Sequence, residues 1–262
     1  MASFFQRLTL LVGPQAAAEL SKSRVIVFGL GGVGSWCAEA LVRSGIGKIS
    51  LVDSDTVCPT NINRQIQALN STIGRYKTGA LEERLKDINP SCEITAFPRV
   101  FSRENAELFD IQGADYVIDA IDSLTHKLDL IEIALASGTR FFSSMGMAQK
   151  LDPTLIKTAD IWETRGCPLA RLVRQGLKKR NCHGHFTTVF SPERLPRRAL
   201  EPSDQEMDCP GEPAEGSGFK KVINGSAVTV TATAGMVLAS LVIRDVCTRF
   251  NEKPQFQGGQ RG

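Results

Sequence analysis

Short apolar runs alternate along the chain with stretches in which apolar residues recur at helical spacing. Runs rich in β-branched and aromatic residues predict buried strands at 25–28, 48–52, 93–97, 115–120 and 140–143. Amphipathic patterns between them predict helices at 33–45, 76–88 and 124–137. This alternation predicts an α/β, Rossmann-like, mostly parallel sheet with helices on both faces.

The two ends of the chain follow different patterns. Residues 4–20 predict two short helices, separated by a break at Gly13 and Pro14. After residue 145 the regular alternation fades, and we expect a mixed region with strands at 155–162 and 186–190 and a helix at 169–179. A loop rich in Pro, Glu and Gly follows at 191–224. We therefore divide the chain into 1–145, an extension at 146–250 and a disordered tail at 251–262.

Residues 222–243 contain no charged side chain and are numerous enough to span a membrane. Asn224, Ser226, Ser240, threonines and glycines lower the hydrophobicity of this stretch. We predict a buried core helix or dimer-interface helix here, with peripheral or integral membrane association as the alternative.

A glycine-rich turn directly follows the first predicted strand. Gly29, Gly31 and Gly34 fit the pattern G-x-G-x-x-G, with Gly32 inside it. The missing Cβ atoms permit a tight turn and close approach of the backbone to a phosphate. Asp53 ends the second strand nineteen residues after Gly34, where Rossmann-like folds place an acid on ribose hydroxyls. Nicotinamide and flavin enzymes share this motif, so it does not fix the chemistry alone.

Charge and cysteine content narrow the class of protein. The net charge of +3, from 31 basic and 28 acidic residues, is too balanced to indicate a polyanion partner by itself. The seven cysteines are scattered without a C-x-x-C pair, which argues against a disulfide framework and against a zinc knuckle. With no signal-peptide pattern at the N-terminus, we expect a cytoplasmic protein.

Polar residues downstream of the second strand form an ordered set. Its members are Asp53, Asp55, Asn61, Asn63, Arg64, Gln65, Gly74, Lys77, Asp119 and Asp122. This set resembles the adenylating superfamily of ubiquitin-activating-like enzymes, which includes the molybdopterin and thiamine pathway adenylyltransferases. That family combines a glycine loop with a ribose-binding Asp, an N-x-x-R-Q stretch, a G-x-x-K lysine and a D-x-x-D pair.

The resemblance implies an ATP-binding adenylation domain at 1–145. The loop glycines 29, 31, 32 and 34 would hold ATP, Asp53 would bind its ribose, and Asp122 would hold Mg²⁺, with Asp119 as second choice. Arg64 and Lys77 would be catalytic, because positive charge offsets the repulsion between a carboxylate and the α-phosphate. The remaining nucleotide-pocket residues would be Asp55, Asn61, Asn63 and Gln65. Arg7 matches an arginine that reaches the partner subunit's nucleotide site, which implies a homodimer.

The stretch 165–198 holds nine basic residues against one acid, Glu193. Such local asymmetry suits a phosphate backbone, and it favours RNA binding. The predicted RNA-binding residues are Arg165, Arg171, Arg174, Lys178, Lys179, Arg180, Arg197 and Arg198. The alternative is a solvated helix face, since Arg171, Arg174 and Lys178 share helical spacing.

Motifs in the second half resemble those of the bacterial tRNA threonylcarbamoyladenosine dehydratases. They are R-G-C-P-L at 165–169, V-F-S at 189–191, M-D-C at 207–209 and the small-residue stretch 225–240. This resemblance implies tRNA as partner and ATP-dependent cyclisation of the modified adenosine through an acyl-adenylate, with release of AMP and pyrophosphate. Cys209, beside an unusual insertion at 210–218, is the one candidate for a reactive thiol.

Several alternatives stay open. An adenylyltransferase acting on the C-terminal glycine of a sulfur-carrier or ubiquitin-like protein would use the same first domain, although such enzymes usually carry paired C-x-x-C motifs. A non-catalytic nucleotide-binding scaffold is a further alternative. A nicotinamide dehydrogenase would give the Arg64 and Lys77 motifs no role. The resemblance also leaves open a monovalent cation and a cysteine-desulfurase-linked sulfur-acceptor protein as partner.

Overall fold

A seven-stranded sheet forms the centre of the protein, for which a computed structural model describes residues 3–195 and 224–250. The strands are β1 (Arg24–Phe28), β2 (Lys48–Val52), β3 (Glu93–Phe97), β4 (Tyr116–Asp119), β5 (Arg140–Ser144), β6 (Lys157–Asp160) and β7 (Thr187–Phe190). Their order is β3-β2-β1-β4-β5-β7-β6, with β6 antiparallel to β7 and every other pair parallel. The predicted Rossmann-like, mostly parallel sheet is confirmed.

Helices cover both faces of the sheet, as the sequence pattern predicts. They are α1 (Gln6–Val12), α2 (Pro14–Leu20), α3 (Gly34–Arg43), α4 (Lys77–Ile88), α5 (Leu124–Ser137), α6 (Pro168–Lys179) and α7 (Val228–Phe250). Apolar side chains of α2, α3, α4 and α7 share one buried cluster, and those of α5 and α6 share another. Gly13, with φ of 84°, ends α1 and confirms the predicted break.

The carboxyl ends of three central strands gather the residues of interest. β1 pairs with β2 on one side and with β4 on the other, so consecutive crossovers leave β1 in opposite directions. Parallel sheets bind ligands in the crevice that opens at such a switch point. Gly29 follows β1 there, Asp53 follows β2, and Asp119 ends β4.

The apolar helix α7 packs along the sheet instead of standing apart from it. Among the described residues it is the one helix that is long and apolar enough to cross a membrane. Its Gly235 lies so close to α3 that a Cβ atom there would sit 2.5 Å from the Val33 carbonyl oxygen. Near its end, Asp245 accepts a hydrogen bond from Tyr116 and pairs with Arg140. These contacts are those of a core helix.

Some predictions fall beyond the described residues. Arg197, Arg198, Cys209, most of the predicted loop 191–224 and the tail 251–262 lie outside them. The division at residue 145 stays a prediction, and β6 and β7, which come after it, extend the same sheet. The described free thiols are those of Cys37, Cys92, Cys167, Cys182 and Cys247. Cys58 is disulfide-bonded, which the scattered spacing of the cysteines does not indicate.

Candidate adenylation site

The glycine loop between β1 and α3 is shaped by close backbone contacts. Gly29 has φ of 86°, and a Cβ atom there would lie 2.7 Å from the Ala120 carbonyl oxygen. A Cβ atom on Gly34 would collide with the Gly29 carbonyl oxygen. Apart from Gly31 and its two chain neighbours, no described residue has an atom within 4 Å of a Cβ built on Gly31. Gly31 therefore offers its backbone to a ligand, as phosphate binding at a helix start requires.

The Asp53 carboxylate ties this loop to β2. Its Oδ2 accepts a hydrogen bond of 2.6 Å from the Leu30 backbone N–H, and its Oδ1 accepts one of 2.9 Å from the Asp55 N–H. Burial raises the pKa of Asp53 above its ordinary value, against the opposing effect of Lys77. The loop and the acid predicted to bind ribose are thus one connected unit.

Lys77 opens α4 and directs a buried ammonium group toward the same two acids. Its side chain is almost buried, with Nζ 2.6 Å from Asp55 Oδ2 and 3.9 Å from Asp53 Oδ1. Its backbone N–H also donates to the Asp55 carbonyl oxygen at 2.9 Å. A fixed positive charge therefore stands beside the glycine loop, where a polyphosphate would need one.

Arg64 packs on the glycine loop, and its charge interacts with that of Asp122. A Cβ atom on Gly32 would lie 3.1 Å from the Arg64 Cγ atom, so this arginine packs directly on the glycine loop. Burial lowers the pKa of Arg64, and the nearby Asp122 carboxylate opposes that shift. Asp122 is exposed, and its carboxylate accepts no hydrogen bond from the described residues. Magnesium is held by one or two carboxylates together with substrate phosphates, and Asp122 fits that requirement.

The amide residues predicted for the nucleotide pocket mostly support the Arg64 loop. Asn61 accepts a hydrogen bond from the Cys58 N–H at 3.2 Å, and Asn63 donates to the Ser226 carbonyl oxygen at 3.0 Å. Gln65 is buried and accepts from Gln67 at 3.3 Å.

Two supporting residues were missed in the sequence. Gln67 donates to the Leu30 carbonyl oxygen at 2.8 Å, and Trp36 donates to the Arg64 carbonyl oxygen at 2.9 Å. Gln67 stands two positions after Gln65, so its nearness to the motif was the available signal.

Asp119 does not face the open side of the site. Its carboxylate is fully buried and accepts hydrogen bonds of 2.6 Å from Lys127 Nζ, 2.6 Å from Ser143 and 3.0 Å from the Ile121 N–H. These partners occupy the oxygens that a metal ion would need. The second-choice metal role given to Asp119 therefore does not fit this arrangement, and Lys127 is a buried charge that sequence reasoning missed.

The predicted RNA-binding residues separate into two groups. Arg165 donates to the Trp162 carbonyl oxygen at 3.2 Å, Arg174 bonds to Thr164, and Arg180 pairs with Asp129 at 2.6 Å. These three guanidinium groups are therefore engaged within the protein, and burial lowers the pKa of Arg174. The exposed members whose side chains form neither a hydrogen bond nor an ion pair among the described residues are Arg171, Lys178 and Lys179. Arg7 is exposed on α1.

Comparison with known proteins agrees with this geometry. A model of the ThiF family matches residues 5–259. The tRNA threonylcarbamoyladenosine dehydratase of Bacillus subtilis is 39% identical over 242 residues, covering 92% of this chain and 94% of the relative. That of Escherichia coli is 36% identical over 256 residues, covering 91% of each.

Solved structures give the same result. The crystal structure of the Escherichia coli enzyme in complex with ATP superimposes with a TM-score of 0.79 at 34% identity, and the match covers 94% of both chains. A yeast adenylyltransferase and sulfurtransferase is more distant, at 28% identity over 59% of this chain. The chain therefore belongs to the ThiF family and, within it, to the tRNA threonylcarbamoyladenosine dehydratases.

Proposed function

We propose that this protein uses ATP to dehydrate N6-threonylcarbamoyladenosine in tRNA, closing a ring through an acyl-adenylate and releasing AMP and pyrophosphate. The observation that supports it most is the group formed by Gly31, Asp53, Arg64, Lys77 and Asp122 around one open backbone loop. The tRNA threonylcarbamoyladenosine dehydratases of Bacillus subtilis and Escherichia coli match this chain over nearly their whole length.

In the first step, an oxygen of the threonyl carboxylate attacks the α-phosphorus of ATP, and the bond from that phosphorus to the bridging oxygen of pyrophosphate breaks. Both reactants are anions, so fixed positive charge lowers the barrier. Lys77, already positioned by Asp55, and Arg64, packed on Gly32, supply it. Asp53 would accept hydrogen bonds from the ribose hydroxyls, which holds the nucleotide in line.

Asp122 would hold Mg²⁺ together with phosphate oxygens. When bound, the ion supplies charge neutralisation for the departing pyrophosphate. The free carboxylate of Asp122, close to Arg64, supports this role. Among the described residues, no group of three or more His, Cys, Asp or Glu side chains is arranged to hold a metal, so the substrate phosphates would complete the coordination.

In the second step, the carbamoyl group of the same nucleoside attacks the acyl carbon, and the bond from that carbon to AMP breaks. Nucleophile and electrophile belong to one group, which gives a high effective concentration without an enzyme thioester. A reactive role for Cys209 is therefore not required by the chemistry. Replacing Cys209 with Ser should leave turnover in place if no thioester forms.

For tRNA docking, we favour Arg171, Lys178 and Lys179, with Arg197 and Arg198 as further candidates. The first three are exposed on α6 and its C-terminal end, and no described acid neutralises them. Free Lys and Arg side chains release counterions when they bind phosphates, which gives affinity that depends on salt.

The working unit in this proposal is a homodimer in which Arg7 acts in trans. Leu10 and Leu11, on the same short helix as Arg7, are 81% and 82% exposed, which suits an interface. Mixing an Arg7→Ala protomer with a Lys77→Ala protomer tests this arrangement. Partial recovery of activity in the mixture supports action in trans, and no recovery opposes it.

The remaining components of the proposal can be tested by addition or omission. Assays without sodium and potassium test the monovalent cation, and addition of a cysteine desulfurase with its sulfur acceptor tests that partner. Cell fractionation tests the cytoplasmic location against association of α7 with membranes. The buried contacts of α7 with α3 favour the cytoplasmic location.

The test of the function is AMP release that depends on tRNA carrying the modified adenosine. Arg64→Ala, Lys77→Ala and Asp122→Ala should each keep the fold and abolish it. Pyrophosphate exchange driven by a protein with a Gly-Gly tail, and not by tRNA, would instead indicate the sulfur-carrier reaction. ATP binding without AMP release under any acceptor would indicate a scaffold.

A further inference from the structure

We infer that Lys127 is a positioning residue of the site, which acts through Asp119 to hold Asp122 in place. Lys127 lies in the first turn of α5, and its side chain is completely buried. A Lys side chain is rarely buried unless it is paired, so its place behind the site calls for an explanation. The inference rests on the proposed function, because it assigns Lys127 to the magnesium–ATP interaction.

The Lys127 ammonium group joins two strands behind the glycine loop. It donates to Asp119 Oδ2 at 2.6 Å and to the Ser144 carbonyl oxygen at 3.0 Å. Ser143 donates to the same Asp119 oxygen at 2.6 Å. The end of β4 is therefore fixed to the end of β5 by buried, charge-assisted hydrogen bonds.

This arrangement also fixes the turn between β4 and α5 on both sides of Asp122. Before it, Asp119 Oδ1 accepts from the Ile121 N–H at 3.0 Å. After it, the Lys127 backbone N–H donates to the Ser123 carbonyl oxygen at 3.0 Å. Asp122 has no hydrogen bond of its own within the described residues, so its position is set by these neighbours.

The same turn touches the glycine loop. The Ala120 carbonyl oxygen lies against Gly29, where even a Cβ atom would come within 2.7 Å. A shift of the turn would therefore move both Asp122 and the loop. A buried ion pair adds little net stability compared with apolar residues of similar size, so a positional role explains the charges better than stability does.

The experiment measures ATP binding to the purified full chain by calorimetry over a series of Mg²⁺ concentrations, without tRNA. The variants are Lys127→Met, Ser143→Ala and the double variant Asp119→Asn/Lys127→Met. Asp245→Asn is the matched control, because it disturbs a hydrogen-bonded acid beside Tyr116, at the opposite end of β4 from Asp119. The absence of tRNA makes the result independent of whether the tRNA reaction occurs.

We expect Lys127→Met to raise the half-saturating Mg²⁺ concentration about 10-fold, the lower end of the effect of losing residues that orient a metal ligand, because Lys127 acts on Asp122 only through Asp119 and the turn. The double variant should return toward the wild-type value, because the amide introduced at position 119 can still accept from the Ile121 N–H without a buried unpaired charge. Asp245→Asn should keep the wild-type value. If Lys127→Met does not fold, the milder Ser143→Ala should show the increase. A wild-type Mg²⁺ requirement in the folded variant, or no recovery in the double variant, would overturn the inference.

Discussion

Lys77 Nζ is 2.6 Å from Asp55 Oδ2 but 3.9 Å from Asp53 Oδ1, so its primary ion pair is with the more exposed acid. Asp53 in turn is hydrogen-bonded to the glycine loop through Leu30. The two acids therefore have different roles. Asp55 orients the lysine, and Asp53 connects the nucleotide loop to the sheet.

Replacing Lys77 with Met should lower kcat for AMP formation about 100-fold to 1000-fold, the usual effect of removing one preorganised electrostatic contact. The fold should survive, because Met retains most of the apolar stem. Lys86→Met on the same helix is the control, since that lysine is exposed and pairs with Glu82. Equal rates for the two variants would exclude Lys77 from the chemistry.

ATP affinity should depend on pH through Asp53. Burial raises the pKa of Asp53 above its ordinary value of 3.8, so the native protein takes up this proton at a higher pH than the unfolded chain does. ATP affinity should therefore fall as pH is lowered from neutral through the raised pKa, because a carboxylate accepts hydrogen bonds from the ribose hydroxyls better than a protonated carboxyl group does. Asp53→Asn should bind weakly without this pH dependence.

The same pKa shift has the opposite sign for stability. The proton binds the native state more tightly, so the contribution of Asp53 to the free energy of unfolding increases as pH falls from the raised pKa toward 3.8. Calorimetric titration with ATP checks the fall in affinity at low pH. Denaturant unfolding over the same pH series checks the rise in the free energy of unfolding. Parallel profiles for the wild-type protein and Asp53→Asn would contradict the assignment.

The basic surface should divide into residues that bind RNA and residues that stabilise the fold. Arg171→Ala and Lys179→Ala should each raise KM for tRNA and reduce the slope of log affinity against log salt by about 1. Arg180→Ala is the internal comparison, because Arg180 pairs with Asp129 and Glu132 on α5. It should reduce stability and leave the salt slope unchanged. An equal loss of tRNA affinity in all three would assign Arg180 to the RNA surface as well.

Close packing of α7 on α3 should be sensitive to a side chain added at Gly235. Gly235→Val places side-chain atoms against the Val33 carbonyl oxygen and the Cys37 N–H, and overpacking of this kind costs about 1 to 3 kcal/mol. Ala232→Val, on a half-buried position of the same helix, controls for β-branching. The free energy of unfolding, measured with denaturant, should be lower for Gly235→Val than for Ala232→Val. Equal stabilities would mean that α7 is not docked as the structure shows.

Local patterns were enough to predict most elements, because the apolar runs that form strands and the residues that end helices lie within or next to each element in the sequence. The strand at 93–97 and the helix at 124–137 were predicted to the residue, the latter ending at Gly138 with φ of 73°. The strand predicted at 155–162 is shorter. Asp152 and Asp160 accept hydrogen bonds from the N–H groups of Thr154 and Trp162, which form helical turns at both ends of β6.

The sequence patterns did not predict hydrogen bonds and ion pairs between residues that are far apart in the chain. Asp119 was placed among the ligands because its motif spacing gives no sign of Ser143, which reaches it from a different strand. Arg180 likewise resembled a free RNA contact, since its partner Asp129 lies 51 residues away on α5. Only the folded arrangement shows which charges are already paired.

Mass spectrometry of the tRNA nucleosides after incubation of the purified protein with ATP, Mg²⁺ and tRNA bearing threonylcarbamoyladenosine tests the central claim most directly. The account predicts a nucleoside lighter by one water, formed together with one AMP, and formed about 100-fold to 1000-fold more slowly with Lys77→Met. An unchanged nucleoside in the presence of the folded, ATP-binding wild-type protein would contradict it.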